Sequence, residues 1–546
     1  MNTSHQSSRR HARLAARIPA ATSICLLALA SFAHAADDTW TGATDGDWSV
    51  DTNWVTAAPG ATTGVTNADT ALFNTDPANK VITIDAGRNL KFITFDTASV
   101  GSYTIGGAGA NAGNALQLSA NSIISLTATV ADGVNQTFNA PLVLNGAARF
   151  ENLSVGTAGY TFAGNISANT TNSLLTIITA GTGTPTGSNL FSGNLTNGTH
   201  TLSVHIGQYS GGNGVGTVEF TGTNSYSGLT TVNFAEKKPV GVGQLITSGT
   251  NSSNGDTLIQ HGTLTLNNAD NGGIARGKLT LFGGGFLRAN IAAAGTLSNE
   301  VSQTNSFTVT GDHSITFNGN FTNATASNRP LTNTIVAGKA LTMNGNVYLS
   351  DASGTGRVWQ LRGSGATVIN GDIMDYNGGK GTAASGLDFG TSGTGDRSLT
   401  LAGAATYSGN TILGGGTSTV FTLAETGSMT FYIGADGVNN MVTGSATANF
   451  NGSFNFDLSG ADLTAGNSWL IVDVATVIES FAGSFAVNGF SDIDNDNIWT
   501  NDSGFSFDES SGILSYTAIP EPAAFAVLAA LSGLLVASTR RRRRSA

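Results

Sequence analysis

An all-β solenoid is the fold class this chain predicts, and three observations carry that expectation. The first is composition. Of 546 residues 72 are glycine and only 11% are charged. Asn, Thr and Ser dominate the remaining polar positions. Such a chain disfavours long helices and suits short strands separated by turns. The second is alternation. From Val81 onward, apolar and polar residues alternate in runs of four to six that end at Gly, Asn, Asp or Ser, as in Leu90-Lys91-Phe92-Ile93-Thr94-Phe95. The third is a repeat: an apolar residue, any residue, Gly, a polar residue, then an apolar residue. It occurs at Phe162 to Ile166, Phe191 to Leu195, Phe317 to Phe321, Met343 to Val347 and Ile369 to Ile373. The last three copies are 26 residues apart. A period of this size is one coil of a parallel β-solenoid, with the apolar residues inward and Gly at a corner.

Residues 1–35 read as a secretory signal. Arg9, Arg10, Arg13 and Arg17 precede the apolar stretch 18–31, and Ala33-His34-Ala35 forms a small-x-small cleavage site at Ala33 and Ala35. The only cysteine, Cys25, falls inside this signal. The mature chain is therefore expected to begin at Ala36, with no disulfide and no thiol chemistry. Without the four signal arginines and the five near the C-terminus, 15 basic residues face 35 acidic ones, a balance of −20. That balance argues against nucleic acid or anionic lipid as a partner.

Residues 36–80 read as an N-terminal cap. Three of the six tryptophans, Trp40, Trp48 and Trp54, crowd into it. They suit either a ring platform for sugars or an aromatic plug over the first open coil. The plug is the expectation, because a repeat array needs its ends closed.

Residues 81–445 are the solenoid proper. At roughly 25 residues per coil this stretch makes about 15 coils. A second repeat appears twice within it, as Tyr226-Ser227-Gly228-Leu229-Thr230 and Tyr407-Ser408-Gly409-Asn410-Thr411, each followed by an apolar run. These copies resemble the autotransporter-associated β-strand repeat, and the spaced tryptophans with Asn53-Trp54 are similar to the start of such proteins. The resemblance implies a right-handed parallel β-helix. An autotransporter also carries a membrane barrel, and nothing in this sequence supplies one.

Residues 446–518 are less glycine-rich and read as a C-terminal β cap that covers the last coil. Phe450 to Phe454 is a further copy of the short repeat. Asp492, Asp494 and Asp496 stand at alternate positions, as in half of a calcium loop. The sixth position is Asn497 where an EF-hand has Gly, and the twelfth is Ser503 where it has Glu. The expectation is no cofactor, with calcium the one candidate.

Residues 519–546 close the chain in three steps: Pro520-Glu521-Pro522, an uncharged apolar run over 523–537, and Arg540, Arg541, Arg542, Arg543 and Arg544. The run sits at the short end of what spans a bilayer as a helix, and the arginines keep their end cytoplasmic. The two prolines leave an extended dipeptide before it. This order resembles the PEP-CTERM sorting signal of Gram-negative bacteria. The resemblance implies a transient inner-membrane anchor, cleavage by an exosortase-type sorting protease, and delivery to the cell surface or extracellular matrix. Extracellular polysaccharide is the partner it implies.

An enzyme is the rival expectation, because polysaccharide lyases and hydrolases include β-helices. His200, His205, His261 and His313 belong to no zinc motif. Val358-Trp359 resembles part of a pectate lyase strand, but Gln360-Leu361-Arg362 follows it. No carboxylate pair stands out for acid-base work. The expected function is therefore a structural or adhesive protein of the envelope or matrix, not an enzyme. Carboxylates and a base converging in one lateral groove would favour the enzyme; ladders of Asn, Thr and Ser would favour the structural reading.

Overall fold

In the computed structural model the described residues run from 36 to 519, without 155, 180–187, 208–215, 235–242, 326–328, 391–396, 416–418 and 474–477, and continue at 530–532 and 534–536. The described residues form a parallel β-solenoid with almost no helix among them. A first sheet of 21 strands runs from Asp37–Thr39 to Ala486–Val487. A second sheet of 15 strands runs from Val81–Ile82 to Val442–Gly444. At the usual spacing of about 4.8 Å, those 15 strands stack over roughly 70 Å. A third sheet of eight strands begins only at Thr296–Leu297 and ends at Ile478–Phe481.

The short repeat marks one corner of the coil, where the chain enters the first sheet. Phe317 ends a strand of the third sheet and Phe321 begins one of the first. Upstream, where the third sheet does not yet exist, Phe162 ends a strand of the second sheet and Ile166 begins one of the first. The glycine is required by close stacking. A Cβ on Gly345 would lie 2.4 Å from the Gly319 carbonyl oxygen of the coil before, and one on Gly371 would lie 2.1 Å from that of Gly345. Phe317, Met343 and Ile369 pair in register on three successive coils and are fully buried, as their spacing predicts.

The Tyr-Ser-Gly-x-Thr repeat has its own physical cause. Tyr226 and Tyr407 are buried, and each phenol shares a hydrogen bond with the threonine four residues on, 2.8 Å between Tyr226 and Thr230. Burial pushes the Tyr226 phenol up to about 12, against hydrogen bonds from Thr230 and Asn251. Burial raises Tyr407 as well. The tyrosine thus fills the core while its hydroxyl is satisfied locally.

The tryptophans of the N-terminal segment are a plug. Trp40 and Trp48 are fully buried, and Trp54 is 3% exposed. They pack on Phe73, the first in a run of ring contacts through Phe95, Phe138, Phe162, Phe191 and Phe220. They offer no surface to a sugar.

At the other end, parallel pairing passes residue 445. The strands Thr447–Phe450, Ser453–Asp457, Ile478–Phe481 and Ala486–Val487 all extend the solenoid sheets. An antiparallel sheet of Ser468–Leu470, Ile498–Thr500, Phe505–Asp508 and Ile513–Tyr516 then closes the end. The closing segment is thus part coil and part cap. Most of 523–537 lies outside the described residues, and among those described no helix is long and apolar enough to cross a membrane.

Candidate functional site

The residues assigned to sorting and processing, Pro520, Glu521, Pro522, Arg540 to Arg544, Ala33 and Ala35, all lie outside the described residues. Among the described residues there are two places to weigh: the aspartate cluster at the C-terminal end and the lateral faces of the coils.

Asp492, Asp494 and Asp496 do come together. One carboxylate oxygen from each lies within 4.8 Å of the others, and the side chains of Asp494 and Asp496 are exposed. The loop is pinned at its base by Ser491 and Thr500, whose backbone groups exchange bonds of 2.8 and 2.9 Å. Asp492 accepts from the amides of Asp496 and Asn497, both at 3.2 Å, and Asp496 from that of Ile498 at 3.0 Å. Asn495 and Asn497 sit at φ 58° and 67°, a region asparagine tolerates. A neighbouring carboxylate, Glu509, accepts the Trp499 indole N–H at 2.7 Å. Burial raises the Glu509 carboxyl above its ordinary range against that bond, and the Asp492 and Asp508 charges raise it further. The cluster offers three of the six to eight oxygens that calcium takes. Its own backbone bonds account for the loop conformation without an ion.

Of the two residues that resemble a lyase strand, Val358 is exposed and Trp359 belongs to the core. Trp359 is fully buried and donates its indole N–H to Gln303 Oε1 at 3.0 Å. His205 and His261 stand on separate strands and His200 and His313 in bends, and burial lowers His205 below its ordinary value. Two buried carboxylates also serve the fold. Asp375 accepts the amides of Gly381, Ser385 and Ser408 and the Ser408 hydroxyl. Asp388 pairs with Arg362 at 2.6 Å. A lateral depression lined by Asn121, Ser122, Ile123, Ala147, Ala148, Arg149 and Thr176 holds one charged side chain, Arg149, which is paired with Glu151.

The lateral faces differ in charge. Solvent-facing positions of the first sheet include Arg149, Glu151 and His205, and those of the second include Glu219, Arg288 and Arg362. The third sheet is different. Its central solvent-facing column pairs Thr296, Thr316, Thr342, Val368, Thr400, Thr422, Asn449 and Ser480 across all eight strands. Beside it runs an asparagine ladder. Asn344 donates to Asn318, and Asn370 to Asn344, both at 2.8 Å. The alternation and the 26-residue period were the signals for this column, but only the register shows which three positions of each coil share a face.

No family model, curated protein or solved structure matches the chain.

Proposed function

We propose that this chain is a secreted, surface-sorted structural or adhesive protein of the bacterial envelope or exopolysaccharide matrix. On this reading the solenoid is right-handed. The 523–537 run holds the protein briefly in the inner membrane as a short helix, and an exosortase-type enzyme cleaves at Pro520-Glu521-Pro522. The observation that carries the reading is the pairing of an export signal with that tripartite end on one chain. The described residues add support of a second kind. The buried carboxylates of Asp375 and Asp388 are committed to backbone amides or an arginine, and Arg149 in the lateral depression is paired with Glu151. Meanwhile the third sheet presents hydroxyl and amide ladders.

Intact-mass analysis of protein released from its native host tests this directly. The released chain is expected to begin near Ala36 and to end close to Pro522. Replacing Pro520 and Pro522 should hold the protein in the inner membrane. Released protein that retains Arg540 to Arg544 would overturn the sorting assignment.

A further inference from the structure

The solvent-facing surface of the third sheet has a property the other faces lack. Three outward positions recur on each of its six strands from Ile315–Phe317 to Thr447–Phe450, or in the turns that flank them. The central ones are Thr316, Thr342, Val368, Thr400, Thr422 and Asn449. The flanking positions hold only Ser, Ala, Val, Thr and Asn. The face therefore carries neither charge nor aromatic ring. Among the described residues, Asp312, Lys339, Asp372 and Glu425 are exposed just past its edges. With about 4.8 Å between strands and about 3.3 Å per residue along them, the six strands spread this surface over roughly 24 Å by 13 Å.

We infer that this face docks an uncharged, extended polysaccharide chain lying along the stack. The inference rests on the matrix reading above and names the class of polymer. An acidic polymer would meet no cation on the face and a chain with an excess of 20 negative charges outside its terminal arginines. A cationic polymer would meet no carboxylate there. What the face does offer is hydroxyl and amide groups, repeated once per coil, that both donate and accept. Their spacing along the stack is about the length of one sugar residue in an extended chain, so successive sugars meet equivalent partners. Each contact is weak, and their number along one connected ligand supplies the avidity.

Affinity electrophoresis of the full chain through gels containing a neutral mixed-linkage β-glucan, or containing alginate, tests the inference. Two triple variants probe the face: Thr316→Val/Thr342→Val/Thr400→Val removes hydroxyls, and Thr316→Lys/Thr342→Lys/Thr400→Lys adds charge. Val368 already occupies the same column, so the valine set keeps the fold. Thr104→Lys/Thr137→Lys on the second sheet is the control. The glucan should retard the native chain and the control alike, and both triple variants should lose at least tenfold in affinity. The lysine set alone should gain retardation by alginate. If the triple variants bind glucan like the native chain, the face is not the site, although the matrix reading stands. If the native chain binds alginate and not glucan, the polymer class is wrong. If it binds neither, the inference falls together with the matrix reading.

Discussion

At its N-terminal end the stack is closed by three indoles, and at its C-terminal end by a small antiparallel sheet. The indoles of Trp40, Trp48 and Trp54 pack edge to face or tilted, with ring centres 5.0 and 4.9 Å apart. Each donates its N–H to a backbone carbonyl, those of Asn79, Pro59 and Trp48, at 2.8 to 2.9 Å. Asp38 ties the entering strand down by accepting the amides of Thr39, Val55, Thr56 and Ala57. The C-terminal end instead turns its strands back. Phe507 and Leu514 of the antiparallel sheet are fully buried, and Phe507 lies against Phe454 and Phe481 of the last coils. Both devices deny a neighbouring chain an open parallel edge. The first does so by filling the end with side chains, the second by changing strand direction.

The comparison implies that each end is held locally, because a solenoid coil contacts only its neighbours. The sharpest way to break it is to cut the middle. Met343 is fully buried between Phe317 and Ile369. Met343→Asp buries an unpaired charge there, at a cost on the order of 5 kcal/mol. The next residue, Asn344, is exposed, and Asn344→Asp should cost only about 1 kcal/mol, for the bond it donates to Asn318. Thermal melts decide between them. Met343→Asp should split one transition into two, one for each end. Equal destabilisation by both variants would show that the 26-residue register has been misread.

Cutting each end in turn sharpens the contrast. Trp48→Ala and Phe507→Ala should each cost about 3–5 kcal/mol. Hydrogen exchange resolved by peptide should place the first loss within 37–105 and the second within 453–516. Loss of protection at the far end from either variant would mean that the stack melts as one unit.

These two ends were not equally legible in the sequence. The indole plug could be read because three tryptophans within 15 residues have no place on a solvent face in a chain with six. The corners could be read because close stacking leaves only glycine there, and the repeat exposes it. Glycine content falls at 445 before the parallel pairing stops, and there the corner motif of Phe450 to Phe454 is the better guide to the coils. The third sheet was not legible at all. It arises where one extra strand per coil, first Thr296–Leu297, fits between the second sheet and the corner, and such short strands look like the turns they replace. The charge-free face therefore came from register and not from pattern. The aspartates were found as a trio, but Glu509 and Trp499 beside them are brought in by a hairpin.

Acid should act on the two ends with different signs. At the N-terminal end, burial alone would raise the Asp38 carboxyl, but the bonds from Thr56, Ala57 and Thr39 outweigh it and hold the group below its ordinary range. A carboxyl lowered by folding contributes stability above its unfolded pKa of about 3.9, and that contribution is lost as pH falls through the folded value. Between pH 7 and 5 this end should therefore not change. Glu509 at the other end is raised, by burial first and then by Asp492 and Asp508. A carboxyl raised by folding is penalised when charged, so its penalty disappears as pH falls through the folded value. The C-terminal end should gain protection as pH falls from 7 toward the ordinary glutamate value of about 4.3. Below about pH 4 both ends should weaken, because Asp508 and Asp457 are held low by their serine partners, for Asp508 against burial. Hydrogen exchange at pH 7, 5 and 3.5, corrected for intrinsic rates, reads this out. Glu509→Gln should abolish the gain at pH 5 and leave the N-terminal end as it was. A gain that survives in Glu509→Gln would assign the effect to another group, and a gain at the N-terminal end would overturn the sign given to Asp38.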